Sequence, residues 1–99
     1  MNTNQSYMVS LPTMTLTQEP VLILDEDATR NYLMLQNRGT SSILIKLGAP
    51  FEGDEGLEIE AKGYYEPFVT PRTPVWAKAI EGEQRLDGIV GTNKDFLGA

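Results

Sequence analysis

The sequence predicts a small all-β domain, an antiparallel β-sandwich or jelly-roll-like barrel of about seven or eight short strands. Three observations predict it. Short runs of apolar and β-branched residues alternate with polar ones. Gly, Pro, Asn and Asp clusters separate those runs at close intervals. The one segment with some helical spacing, "TPVWAKAIEGEQRL", contains Gly82 and the β-branched Val75, which favour a strand and a turn.

Residues 1–20 read as an N-terminal arm. They are rich in Asn, Thr, Ser and Gln, and Met14 and Leu16 alternate with threonines as in an edge strand at 13–17. The arm either frays or reaches onto a neighbouring subunit. Residues 21–91 read as the sandwich and 92–99, beginning just before "NKDFLGA", as a tail. "VLILD" opens the sandwich and "DEDAT" turns the chain, since Asp side chains bond to nearby backbone amides.

In "RNYLMLQNRGTSSILIKLG", Tyr32, Met34 and Gln36 share one face and Leu33 and Leu35 the other. Both faces are partly apolar, which suits a central strand of a two-layer structure. Gly39 is free to take positive φ in the reversal. The two runs make either a hairpin or a pair of strands exchanged between facing sheets. "GAPFEGDEG" is a loop, "LEIE" a strand, "AKG" a turn, and "YYEPFV" an edge or bulged strand because Pro67 has no amide to donate. "TPRTP" is a stiff connector. "VWAKAIE" sets Val75, Ala77 and Ala79 opposite Trp76, Lys78 and Ile80, "GEQ" turns the chain, and "RLDGIVGT" closes the fold.

Composition narrows the function. The 99 residues suffice for a single domain, which buries only about 60–65% of its unfolded surface and gains from partner subunits. Cysteine and histidine are both absent, which removes disulfides, thiolate chemistry and the usual general base. A net charge of −6 repels phosphate backbones, so no nucleic-acid partner is expected. No apolar run is long enough to cross a membrane, and "MNTNQSYMVS" lacks the pattern of a secretory signal. The triplet Asn4-Gln5-Ser6 matches a glycosylation acceptor, a pattern common by chance.

Reactive constellations are sparse. Glu52, Asp54 and Glu55 lie in a glycine-rich loop of the kind calcium accepts, but their spacing is not that of the helix–loop–helix calcium site, and a solvated loop is the better reading. Acidic pairs for glycoside hydrolysis have no distinctive spacing, serines have no histidine, and the glycines match no nucleotide fingerprint. No enzyme, cofactor or resident metal is expected. The aromatics that suit a sugar-stacking or protein-contact surface are Tyr64, Tyr65, Phe68 and Trp76, of which Tyr64 and Tyr65 fall on opposite faces. Trp76, beside Ala77 and Ala79, fills the interior or, alternatively, contributes to a contact surface. The residues expected at interfaces are Leu11, Met14, Leu16, Tyr64, Trp76 and Phe96.

The order of elements over residues 28–91 resembles small accessory virion proteins of tailed bacteriophages. The likeness runs through Arg30, Leu33, Leu35, Gln36 and Asn37, then Gly48, Gly56, Leu57, Ile59 and Gly63. It continues through Tyr65, Glu66, Ala79, Gly82 and Leu86. It implies a β-sandwich or jelly-roll-like module without catalysis, assembled as a homo-oligomer, a trimer by expectation. The implied location is the virion, where the module decorates or cements a capsid through contacts with the major capsid protein. A carbohydrate- or receptor-binding module of a fibre or tail is the alternative. The resemblance transfers no site residues, because the matched positions are architectural.

Overall fold

The computed structural model describes residues 4–95. These form nine strands and no helix: β1 (Asn4–Ser10), β2 (Met14–Leu16), β3 (Val21–Leu24), β4 (Arg30–Asn37), β5 (Ile43–Leu47), β6 (Leu57–Ile59), β7 (Tyr64–Tyr65), β8 (Val75–Ala79) and β9 (Gln84–Asp95). All pairings are antiparallel and they nest. β1 and β2 pair with β9, β3 with β8, β4 with β7, and β5 with β6. A long hairpin rolled so that alternate pairs fall in opposite layers produces this order, which is the jelly roll. One sheet runs β1-β9-β4-β7 with β2 also on β9, and the facing sheet runs β3-β8-β5-β6.

β1 and β2 behave as one interrupted strand. Pro12, which has no amide hydrogen, stands in the gap. Three residues, 11–13, there oppose only two of β9, because Ser10 pairs with Ile89 and Met14 with Leu86. The edge strand expected at 13–17 is present as β2, the earlier part of the expected arm is ladder as β1, and so is the beginning of the expected tail, since β9 runs to Asp95. The reason is reciprocal: each segment supplies the other's hydrogen bonds, a long-range match that composition does not reveal. β4 and β5 lie in different sheets, so the exchanged arrangement is the one realised. The stretch with helical spacing divides into β8 and the start of β9.

Alternation places the core. Leu33 and Leu35 of β4 and Leu86 and Val90 of β9 face Ile43 and Ile45 of β5 and Val75, Ala77 and Ala79 of β8. Leu16, Ile23 and Ile59 complete it. Because Val75 and Ala77 are fully buried, their neighbour Trp76 points away from the core and is only half-buried. The interior reading of Trp76 is thereby corrected: strand period gives the core positions of β8 to small residues.

Two buried amide side chains close one end of the sandwich. Asn37 donates to the carbonyls of Ser41 and Ile59 at 2.9 Å each and accepts the Gly39 amide at 2.8 Å. Gln84 accepts the amides of Thr40 and Ser41 and donates to the Glu81 carbonyl. The 38–42 arch between the layers thus has its polar backbone satisfied by two neighbouring strands of one sheet, β4 through Asn37 and β9 through Gln84. Gly39 is needed there for space and not for positive φ: an added Cβ would lie 2.0 Å from Gln84 Oε1.

Asn37→Ala orphans three buried backbone groups and should lower stability by about 2–4 kcal/mol. Gly39→Ala should cost a comparable amount by displacing Gln84. Urea midpoints measure both, and losses under about 0.5 kcal/mol, the range of an ordinary surface substitution, would contradict this account of the arch.

Candidate functional site

At the opposite end of β4 the backbone departs from regular pairing. Arg30 pairs with Thr92 and Tyr32 with Gly91, leaving Asn31 as an extra residue. Without that bulge Arg30 would share the outward face of Tyr32, Met34 and Gln36. With it, Arg30 turns inward. It is buried, and its guanidinium donates to the backbone carbonyls of Asp25, Pro71 and Thr73. Burial pushes the guanidinium below its ordinary pKa, with the charge of Asp27 pushing it back up. The planar fork suits this task because its donors spread in fixed directions.

The anchored segment is the 66–74 connector between β7 and β8. Arg72 Nε donates to the Arg30 carbonyl at 3.1 Å, and the Asp27 amide donates to the Arg72 carbonyl at 2.9 Å. At the segment's start the Tyr32 hydroxyl donates to the Glu66 carboxylate, and this bond raises the Tyr32 pKa. Pro67, Pro71 and Pro74 each fix their own φ. Between these restraints Phe68 is 102% exposed and Val69 79%. A groove of about 360 Å³ beside them is lined by Asn31, Tyr32, Glu66, Pro67, Phe68 and Thr70. Two adjacent large apolar side chains in water on a restrained loop are a candidate contact feature, because they would gain from burial and have little loop entropy left to lose.

The residues expected at interfaces are dispersed. Leu16 is buried in the core, which corrects its assignment as a contact residue, while Leu11 and Met14 are partly buried and packed against the core. Tyr64 is exposed on the outer side of β7, while Tyr65, opposite Leu35, packs on the core. Trp76 lies on the outer side of the other sheet, paired with Leu22 and Lys46. Tyr64 and Trp76 therefore make no common platform. Phe96 lies outside the described residues.

Glu52, Asp54 and Glu55 belong to the 48–56 loop, which folds over the outer side of β5 and β8. Lys78 is 9% exposed there, bonded to the Gly53 carbonyl and, at 2.8 Å, to Asp54, with its ammonium 4.9 Å from the Phe51 ring centroid. Lys46 meets Glu55 at 3.2 Å. Glu55 also accepts the Glu52 amide, the main cause of its lowered pKa. Two of the three acids thus neutralise lysines of the sheet below. Among the described residues no three acids converge as a metal site would need.

Sequence reasoning missed Val69 and the role of Arg30. The signal for Val69 was present: "PFVTPRTP" places two large apolar residues inside a proline-rich connector. The role of Arg30 depends on a bulge that no local pattern announces. Compared with known proteins, the chain matches no protein-family model and no curated protein.

Arg30→Met retains the aliphatic bulk and leaves the Asp25, Pro71 and Thr73 carbonyls without their donor. The variant should lose about 3 kcal/mol or more in urea denaturation. An unchanged midpoint would show that water replaces the guanidinium at no cost.

Proposed function

We propose that the protein is a non-enzymatic structural module of a virion that docks onto a protein surface through the 66–74 loop. The exposed pair Phe68–Val69, held by a buried arginine and three prolines, is the observation that carries the reading. A rigid apolar tip inserts into a partner's pocket without first paying to order itself. The resemblance of residues 28–91 to accessory virion proteins supplies the class of partner: the shell of a tailed-phage head, decorated and cemented by multiple copies. A ligand that binds only the assembled shell stabilises it by mass action. The fibre-tip alternative, glycan binding, calls for aromatics gathered on one face, and Tyr64 and Trp76 stand on opposite outer faces.

The double variant Phe68→Ser/Val69→Ser should keep its melting temperature, because both side chains are already in water. Its affinity for isolated phage heads should fall about tenfold or more, the loss of one strong contact. Equal binding by the variant would remove the loop from the contact. Absence of binding by the wild-type chain to heads would remove the decoration reading itself.

A further inference from the structure

The edges of the two sheets are protected unequally. β7 has two residues and runs into Pro67, β6 has three, β3 carries a register shift, and β2 follows Pro12. Short strands, prolines and bulges are how natural sheets blunt their edges against pairing. β1 has none of these devices. Its seven residues, "NQSYMVS", are in unbroken register with β9 and contain no proline and no charge. Residues 1–18 contain no Asp, Glu, Lys or Arg, in a chain that is 22% charged.

The hydrogen-bonding parity of this edge is defined. The Leu11 amide donates to the Gly88 carbonyl at 2.8 Å, so the amides of Val9, Tyr7 and Gln5 also face β9. Those of Ser10, Met8, Ser6 and Asn4 face away. Met8 and Val9 are 54% and 56% exposed along it. The edge also overhangs the sandwich. Gln5 and Asn4 pair with Lys94 and Asp95, beyond the Asn93 amide that donates to the Thr29 carbonyl just before β4. A two-stranded ribbon is marginal in water on its own and gains from a third strand.

We propose that β1 is a self-pairing edge that joins two copies of this chain about a two-fold axis, making a continuous sheet through both jelly rolls. The occupant is a second copy for two reasons. An antiparallel strand of identical parity uses every outward amide when Tyr7 lies opposite the partner's Tyr7 and Ser6 opposite the partner's Met8. Copies that each carry a charge of −6 repel one another over most of their surface, and the charge-free segment is where they approach at least cost. The arrangement is two-fold, so it builds dimers and not the trimer expected from the resemblance. It uses a surface separate from the 66–74 loop, and it is measured without any phage head, so its failure leaves the docking proposal standing.

Sedimentation of the full chain over a concentration series tests it. The expected result is a mass that rises from 11.0 kDa to twice that value. Met8→Pro removes an amide that faces away from β9, which an edge strand tolerates, and should abolish the dimer while leaving the circular dichroism spectrum and melting of the monomer intact. Should that variant not fold, amide exchange in the wild type decides. Exchange at Ser6, Met8 and Ser10 should slow as concentration rises, while exchange at Tyr7 and Val9 stays protected throughout. A monomer at every concentration, a trimer, a dimer that survives Met8→Pro, or concentration-independent exchange at those three amides would each overturn the proposal.

Discussion

A buried guanidinium satisfied by backbone carbonyls is the constraint on which the end of this molecule proposed for docking depends. Arg30 reaches the Asp25, Pro71 and Thr73 carbonyls only because the Asn31 bulge turns it inward. A charge taken out of water is tolerable when its donors are filled, and removing it leaves several acceptors stranded together. The same side chain therefore joins the β3–β4 turn to the β7–β8 connector. At the far end of β4, Asn37 performs the neutral version of the task on the arch between the sheets. One eight-residue strand, with a buried polar side chain at each end and Leu33 and Leu35 facing the core between them, links both layers and both ends of the sandwich.

The surfaces follow from this frame. The 48–56 loop covers the outer side of β5 and β8, where its acids are drawn onto Lys46 and Lys78. Those two ion pairs give Asp54 and Glu55 a structural role in seating the loop. The two most exposed large apolar side chains among the described residues are Phe68 and Val69 on the pinned connector, and Met8 and Val9 lie exposed along the uncharged β1 edge. The first suits a pocket on another protein, and the second suits backbone pairing. A small domain with a thin core gains from both kinds of contact, because burial against a neighbour adds to what its own interior supplies.

Much of the fold was legible in the residues. Period-two alternation set Leu33 and Leu35 on one face of β4, the face that is buried, and Gly and Pro clusters marked the turns. What escaped was long-range. β1 looks like a polar terminus until β9, some eighty residues later in the chain, is placed beside it. Trp76 resembles core by size, yet the pleat assigns the interior to Val75 and Ala77, and size does not alter parity. Arg30 and Asn37 appeared only as architectural positions of the virion-like pattern. Their burial, and the carbonyls they serve, depend on loops distant in sequence. The proposed docking tip was half legible: Phe68 was among the aromatics considered, while the restraint on its loop comes from Arg30.

The central claim is that the 66–74 loop is held in one conformation before it meets any partner. Backbone ¹⁵N relaxation of the free protein tests this directly at the amides of Phe68, Val69, Thr70, Arg72 and Thr73. The account predicts order parameters near those of β4, about 0.85, despite the loop's exposure. Values below about 0.6 would describe a mobile loop and would contradict the claim that Arg30 and the prolines preorganise it.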